Sequence, residues 1–127
     1  MPPPTPTPAE LAILRALWAH GPSTVRAVHT ALSSGRDVGY TTTLKMLQVM
    51  TAKGLTVREE RGSQHLYRAK QPESQTQRRL VRDLLDRAFG GSTAQLVLQA
   101  LAARKATPEE LQEIRRLLAT HEDAKEK

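Results

Sequence analysis

The chain has 127 residues and no cysteine, which fits one domain or two very small ones and excludes disulfides, thiolate metal sites and cysteine nucleophiles. Nineteen Lys and Arg against thirteen Asp and Glu give a formal charge of +6, so a polyanion is the expected partner; aromatic residues at 3% leave few flat faces for stacking single-stranded bases. No apolar run approaches the roughly 20 residues of a membrane span, and residues 1–8 lack the basic start and apolar stretch of a secretory signal, so a cytoplasmic protein is expected.

The charge is unevenly spread. Residues 1–72 carry nine basic and four acidic side chains, whereas residues 73–127 carry ten and nine. That asymmetry argues for two modules, the first of them attracted to polyanions. In chain order, Met1 to Pro8 alternates proline and threonine and reads as a disordered or polyproline-like tail. Thr7-Pro8-Ala9-Glu10 is a helix start, with Thr as cap, Pro in the first turn and Glu10 placed to reach back. Leu11, Leu14 and Trp18 follow on one face, and Gly21-Pro22 ends the helix near His20. Ser23 is the expected cap of a second helix, with Val25, Val28 and Leu32 on one side, which Ser33-Ser34-Gly35 stops. A third helix spans Tyr40 to Lys53. Thr43, Met46, Leu47 and Met50 form its inward stripe, Thr41, Thr42, Lys45, Gln48 and Val49 lie opposite, and Gly54 terminates it.

The period then changes to two. Residues 55–60 and 64–69 alternate as strands, and Arg61-Gly62-Ser63 supplies the turn of a hairpin. Three helices followed by a ribbon with a basic tip outline a winged helix-turn-helix over residues 9–72. Residues 73–121 read as three further helices, and residues 122–127 as a charged tail. Leu80, Leu84 and Phe89 belong to the first apolar face, Leu96 and Leu101 to the second, and Leu111, Ile114, Leu117 and Leu118 to the third. Three short helices in about 50 residues cannot bury this much apolar surface unaided, so these nine residues are expected to form a homodimer interface. The expected fold class is therefore mainly α with a small β-hairpin: a winged helix-turn-helix followed by a three-helix dimerisation region.

The major groove of duplex DNA admits one helix and displays a donor–acceptor code. A helix suited to it carries short polar side chains on its outer N-terminal turns, as Tyr40, Thr41, Thr42, Lys45 and Gln48 do here. Threonine hydroxyls can bond base edges or phosphates, threonine methyls can meet thymine methyls, and Lys45 can reach guanine or phosphate. The plainer alternative is the solvated side of an ordinary surface helix. Arg61, His65 and Arg68 on the ribbon, with Arg58, are placed to neutralise phosphates, although Glu59 and Glu60 interrupt that basic run. His20, His29, His65 and His121 lack partners at metal-ligand spacing, so no metal or other cofactor is expected. Glu109, Glu110 and Glu113 begin a helix, where negative charge meets the positive end of its dipole. Gly90-Gly91-Ser92 has no lysine and no preceding strand, so it is a helix stop and cap, not a phosphate loop. No nucleophile–base pair is evident, and an enzyme is not expected.

Several segments, in this order and spacing, resemble the penicillinase repressors, winged-helix transcriptional regulators of the BlaI, MecI and CopY type. They are Glu10-Leu11-Ala12-Ile13-Leu14 with Leu17-Trp18, Tyr40-Thr41-Thr42-Thr43-Leu44, Lys53-Gly54-Leu55, Tyr67, and Phe89-Gly90-Gly91-Ser92 followed by Leu96-Val97. The resemblance implies a homodimeric repressor on a palindromic operator in double-stranded DNA, with the recognition role on Thr41, Thr42 and Lys45. Leu44 and Val49 stand where the best-known penicillinase repressors carry arginine, so the operator sequence does not transfer. In that branch a membrane sensor-protease cuts an Asn-Phe bond to relieve repression; Gln99-Ala100 occupies the aligned position, and any protease or sensor partner is left open. The copper branch relies on cysteine motifs that this chain lacks. A non-specific architectural DNA binder and a winged-helix protein-interaction adaptor are the alternative readings.

Overall fold

The computed structural model describes residues 4–33 and 39–125. The proposed stop at Ser34-Gly35 and the loop leading to Gly39 lie outside the described residues, as do Met1 to Pro3. The elements are α1 (Pro8–His20), α2 (Val25–Ser33), α3 (Tyr40–Lys53), β1 (Thr56–Arg61), β2 (Gln64–Ala69), α4 (Glu73–Ala88), α5 (Thr93–Ala103) and α6 (Pro108–Lys125). The chain divides into two compact units, Met1–Val81 and Arg82–Lys127, with the division inside α4.

The first unit is a winged helix. Its core joins Ile13, Leu14 and Leu17 of α1, Val25 and Val28 of α2, Leu47 and Met50 of α3, Leu55, and Tyr67 of β2. Each such aliphatic side chain taken from water contributes roughly 1.5–3 kcal/mol. The inward stripe read for α3 packs as expected, with Thr43, Leu47 and Met50 buried and Met46 packed against the core. At the start of α1 the capping box forms as the sequence suggests: the Glu10 amide donates to the Thr7 hydroxyl (3.1 Å), and the Thr7 amide donates to the Glu10 carboxylate (3.0 Å). The second cap differs from expectation. The Thr24 hydroxyl, not that of Ser23, accepts from the Ala27 amide at 3.1 Å. Ser23 is held instead by an antiparallel bridge to Tyr67, exchanging backbone hydrogen bonds of 2.9 and 2.8 Å, so the helix starts one residue later.

Gly54, at φ 85°, ψ 18°, ends α3, and its amide turns back to Met50 and Thr51. β1 and β2 pair antiparallel in the register Thr56↔Ala69 to Arg61↔Gln64. The turn is thus the two residues Gly62-Ser63, with Arg61 inside the ladder and Gly62 in the left-handed region. Leu55 precedes the strand, its amide bonded to Met50 and its carbonyl accepting from Lys70. Beyond the ribbon, the Trp18 indole N–H donates to the Gln71 carbonyl at 3.0 Å and ties α1 to the exit of the wing.

In the second unit, the Ser92 hydroxyl accepts from the Gln95 amide, and Thr107 with Glu110 closes a second capping box, both as read from sequence. α6 runs past His121 to Lys125, into the segment read as a tail, because alanine, lysine and glutamate are good helix formers. No described side chain from Arg82 to Asp123 is buried.

Candidate nucleic-acid interface

α3 builds the site. Because its buried stripe recurs at i, i+4, i+7, the opposite side is turned outward, and Thr41, Thr42, Lys45, Gln48 and Val49 are all exposed. Lys45 has no ion-pair partner among the described residues, so its ammonium is available to an incoming anion. Thr41, Thr42, Lys45, Met46 and Val49 line a shallow concavity together with Glu10. Of the two positions where the sequence lacks arginine, Val49 faces outward and Leu44 packs against the core. Gly39 caps α3 without a side-chain bond, leaving the first-turn amides free of any competing cap.

Tyr40 is held from the side of α2. The His29 ring meets it edge-on with centroids 5.9 Å apart, and the Arg26 guanidinium sits 5.4 Å from its ring centroid. The sequence reading did not select Arg26. Its signal was available, since Arg26 follows Val25 on the polar side of α2 and is exposed next to the start of α3. His29 also lies 3.4 Å from the Thr43 hydroxyl, which fixes the packing of α2 on α3.

The wing differs from a bare basic ribbon. The pairs Arg58/Tyr67 and Glu60/His65 share one face, and Val57/Arg68, Glu59/Leu66 and Arg61/Gln64 the other. Hence Arg61 and Arg68 lie together, whereas His65 lies with Arg58 on the opposite face. Each of these side chains lies against a glutamate of the ribbon. Glu59 takes Arg68 at 2.6 Å and Arg61 at 3.5 Å, and Glu60 takes Arg58 and His65 at 3.7 Å each.

The other ion pair at the edge of the site is structural. Lys53, at the end of α3, reaches the buried Glu10 carboxylate at 2.9 Å. Burial pushes the Glu10 carboxyl upward, but the Thr7 amide, the Lys53 ammonium and the Thr7 hydroxyl outweigh it and hold the group below the usual carboxylate range.

In the second unit Leu84, Leu101, Leu117 and Leu118 are exposed, and Phe89, Leu96, Leu111 and Ile114 are half-covered; Leu80, just inside the first unit, is also half-covered. Gln99 and Ala100 sit exposed within α5. Among the described residues, no group of three or more His, Asp or Glu could hold a metal ion, and no helix is long and apolar enough to cross a membrane.

A family model described as penicillinase repressor matches residues 6–120. The transcriptional regulator BlaI of Mycobacterium tuberculosis is 32% identical over 111 residues, covering 87% of this chain and 80% of that protein, with the same figures in strains CDC 1551 / Oshkosh and ATCC 25618 / H37Rv. Among solved structures, a MarR family protein from Bacillus stearothermophilus superposes with a TM-score of 0.51 at 18% identity, covering 96% of this chain and 76% of that one, a likeness of fold. A family match across nearly the whole chain, on a winged helix with this outward-facing third helix, establishes that the chain belongs to the penicillinase repressor family of transcriptional regulators.

Proposed function

We propose that the protein is a homodimeric repressor that binds a palindromic operator in duplex DNA, with α3 in the major groove and the wing alongside the backbone. The observation that carries this reading is the outer face of α3. Thr41, Thr42, Lys45 and Gln48 stand exposed on one side of a helix whose opposite side is locked in the core, so the helix is rigid where it would meet bases. Lys45 contacts guanine or a phosphate, and Thr41 and Thr42 contact base edges, phosphates or thymine methyls. Tyr40 and Arg26 at the entry of the helix, and Arg61, His65 and Arg68 on the wing, position the duplex through its backbone. The absence of any buried side chain between Arg82 and Asp123, among the described residues, supports a second copy covering Leu84, Phe89, Leu96, Leu101, Leu111, Ile114, Leu117 and Leu118. Two-fold symmetry then matches two half-sites.

Genome-wide mapping of bound sites supplies the operator, and fluorescence anisotropy on that duplex tests the residue roles. Lys45→Ala is expected to weaken binding by about 1–3 kcal/mol and to lower the salt slope by about 1. Unchanged affinity at physiological salt would remove α3 from the recognition role. Competition by random duplex as strong as by the operator would point to a non-specific binder instead.

A further inference from the structure

The glutamates of the wing have no place in a surface built only to neutralise phosphate. Glu59 receives Arg68 Nε on Oε1 at 2.6 Å and Arg61 Nη2 on Oε2 at 3.5 Å. Two guanidinium groups from opposite strands therefore converge on the two oxygens of one carboxylate, on the ribbon face turned away from Tyr67. Carboxylate and phosphate oxygens present the same kind of acceptor to a guanidinium fork. The side chains are open to solvent, with Arg61 65%, Arg68 42% and Glu59 31% exposed, so an anion arriving from outside can reach the cluster.

We propose that Arg61 and Arg68 form a cradle for a backbone phosphate and that Glu59 is its internal occupant, a built-in competitor that lowers the affinity and salt dependence of duplex binding. This rests on the reading above, in which the wing lies against the duplex. An exposed ion pair is weak, typically about 0–1 kcal/mol, so a phosphate can displace the carboxylate. The displaced charge nevertheless remains beside the phosphate and repels it. While Glu59 is in place, its single negative charge offsets one of the two guanidinium charges, so the cluster releases fewer counterions when DNA binds. Without it, the cluster has one more positive charge to set against the duplex backbone, which adds about 0.9 to the slope of log affinity against log salt. Glu60 is the internal control: it pairs Arg58 and His65 on the other face and leaves this cradle untouched.

Full-length protein is titrated with operator duplex over a range of salt concentrations. Glu59→Gln is expected to bind about three- to tenfold tighter near physiological salt, with a slope steeper by about 1. Changing Arg61 and Arg68 to alanine in the Glu59→Gln background should abolish the gain, and Glu60→Gln should give a smaller one. Thermal melts confirm that each variant is folded. Unchanged or weaker binding by Glu59→Gln overturns the proposal, as does a gain that survives loss of both arginines or is matched by Glu60→Gln. In each case continued sensitivity to Lys45→Ala leaves the operator reading standing. Wild-type protein without salt-sensitive duplex binding would sink both.

Discussion

Glu10 performs two tasks with one carboxylate. It completes the cap of α1 through the Thr7 amide, and it anchors the far end of α3 through Lys53, 43 residues along the chain. The first task is legible in the spacing Thr7-Pro8-Ala9-Glu10. The second is not, because nothing local to Lys53 indicates which carboxylate the fold brings to it. Glu10→Gln keeps an acceptor for Thr7 but loses the charge, and is expected to destabilise the protein by about 1–2 kcal/mol in urea unfolding at neutral pH. The pH dependence has a definite sign. A carboxyl lowered in the folded state contributes its full stability above the unfolded value of about 4.3, and that contribution disappears as pH falls through the lowered folded value. The gap between wild type and Glu10→Gln should therefore narrow in acid. A gap of the same size at both pH values would assign the loss to packing rather than charge.

At the scale of elements, the helices and ribbon follow from local chemistry. α3 shows its period in Thr43, Leu47 and Met50 and its stop in Gly54, and both appear in the structure. The ribbon depends on its turn. Gly62 has φ 62° and open space around an added Cβ, so Gly62→Ala incurs backbone strain alone, about 1–2 kcal/mol. Asparagine tolerates that region better, so a thermal melt should show Gly62→Asn less destabilised than Gly62→Ala. Equal losses would mean that the turn relaxes to another geometry. Ser23 marks the limit of local reasoning: its composition suits a helix cap, yet the bridge to Tyr67 takes its backbone and passes the cap to Thr24. A hydrogen bond across 44 positions overrides a preference expressed over three.

For the whole molecule, the two units differ in how their apolar surface is treated. The first has a closed core, whereas the second leaves Leu98 56% and Leu118 59% exposed. Under the proposed homodimer, light scattering at micromolar concentration should give twice the chain mass. Leu118→Glu should shift the protein toward monomer and weaken operator binding far more than any single contact would, since the two half-sites are then no longer held together. A wild-type monomer would leave those leucines without a cover and end the dimer proposal.

The excess of basic residues over acidic ones is a property of the whole chain. Composition and period by themselves determined the helices, the ribbon, the outward set on α3 and the family resemblance, because periodicity, caps and turn residues act over a few positions. They also placed most of the net positive charge in the first 72 residues. Which of those charges are available was decided only by the tertiary structure. Strand register sets Arg61 and Arg68 on Glu59, packing of α1 on α3 sets Lys53 on Glu10, and Lys45 on the outer face of α3 has no ion-pair partner among the described residues. A charge count sums over the chain, but Coulomb attraction acts over a few ångströms, and only the fold fixes those distances.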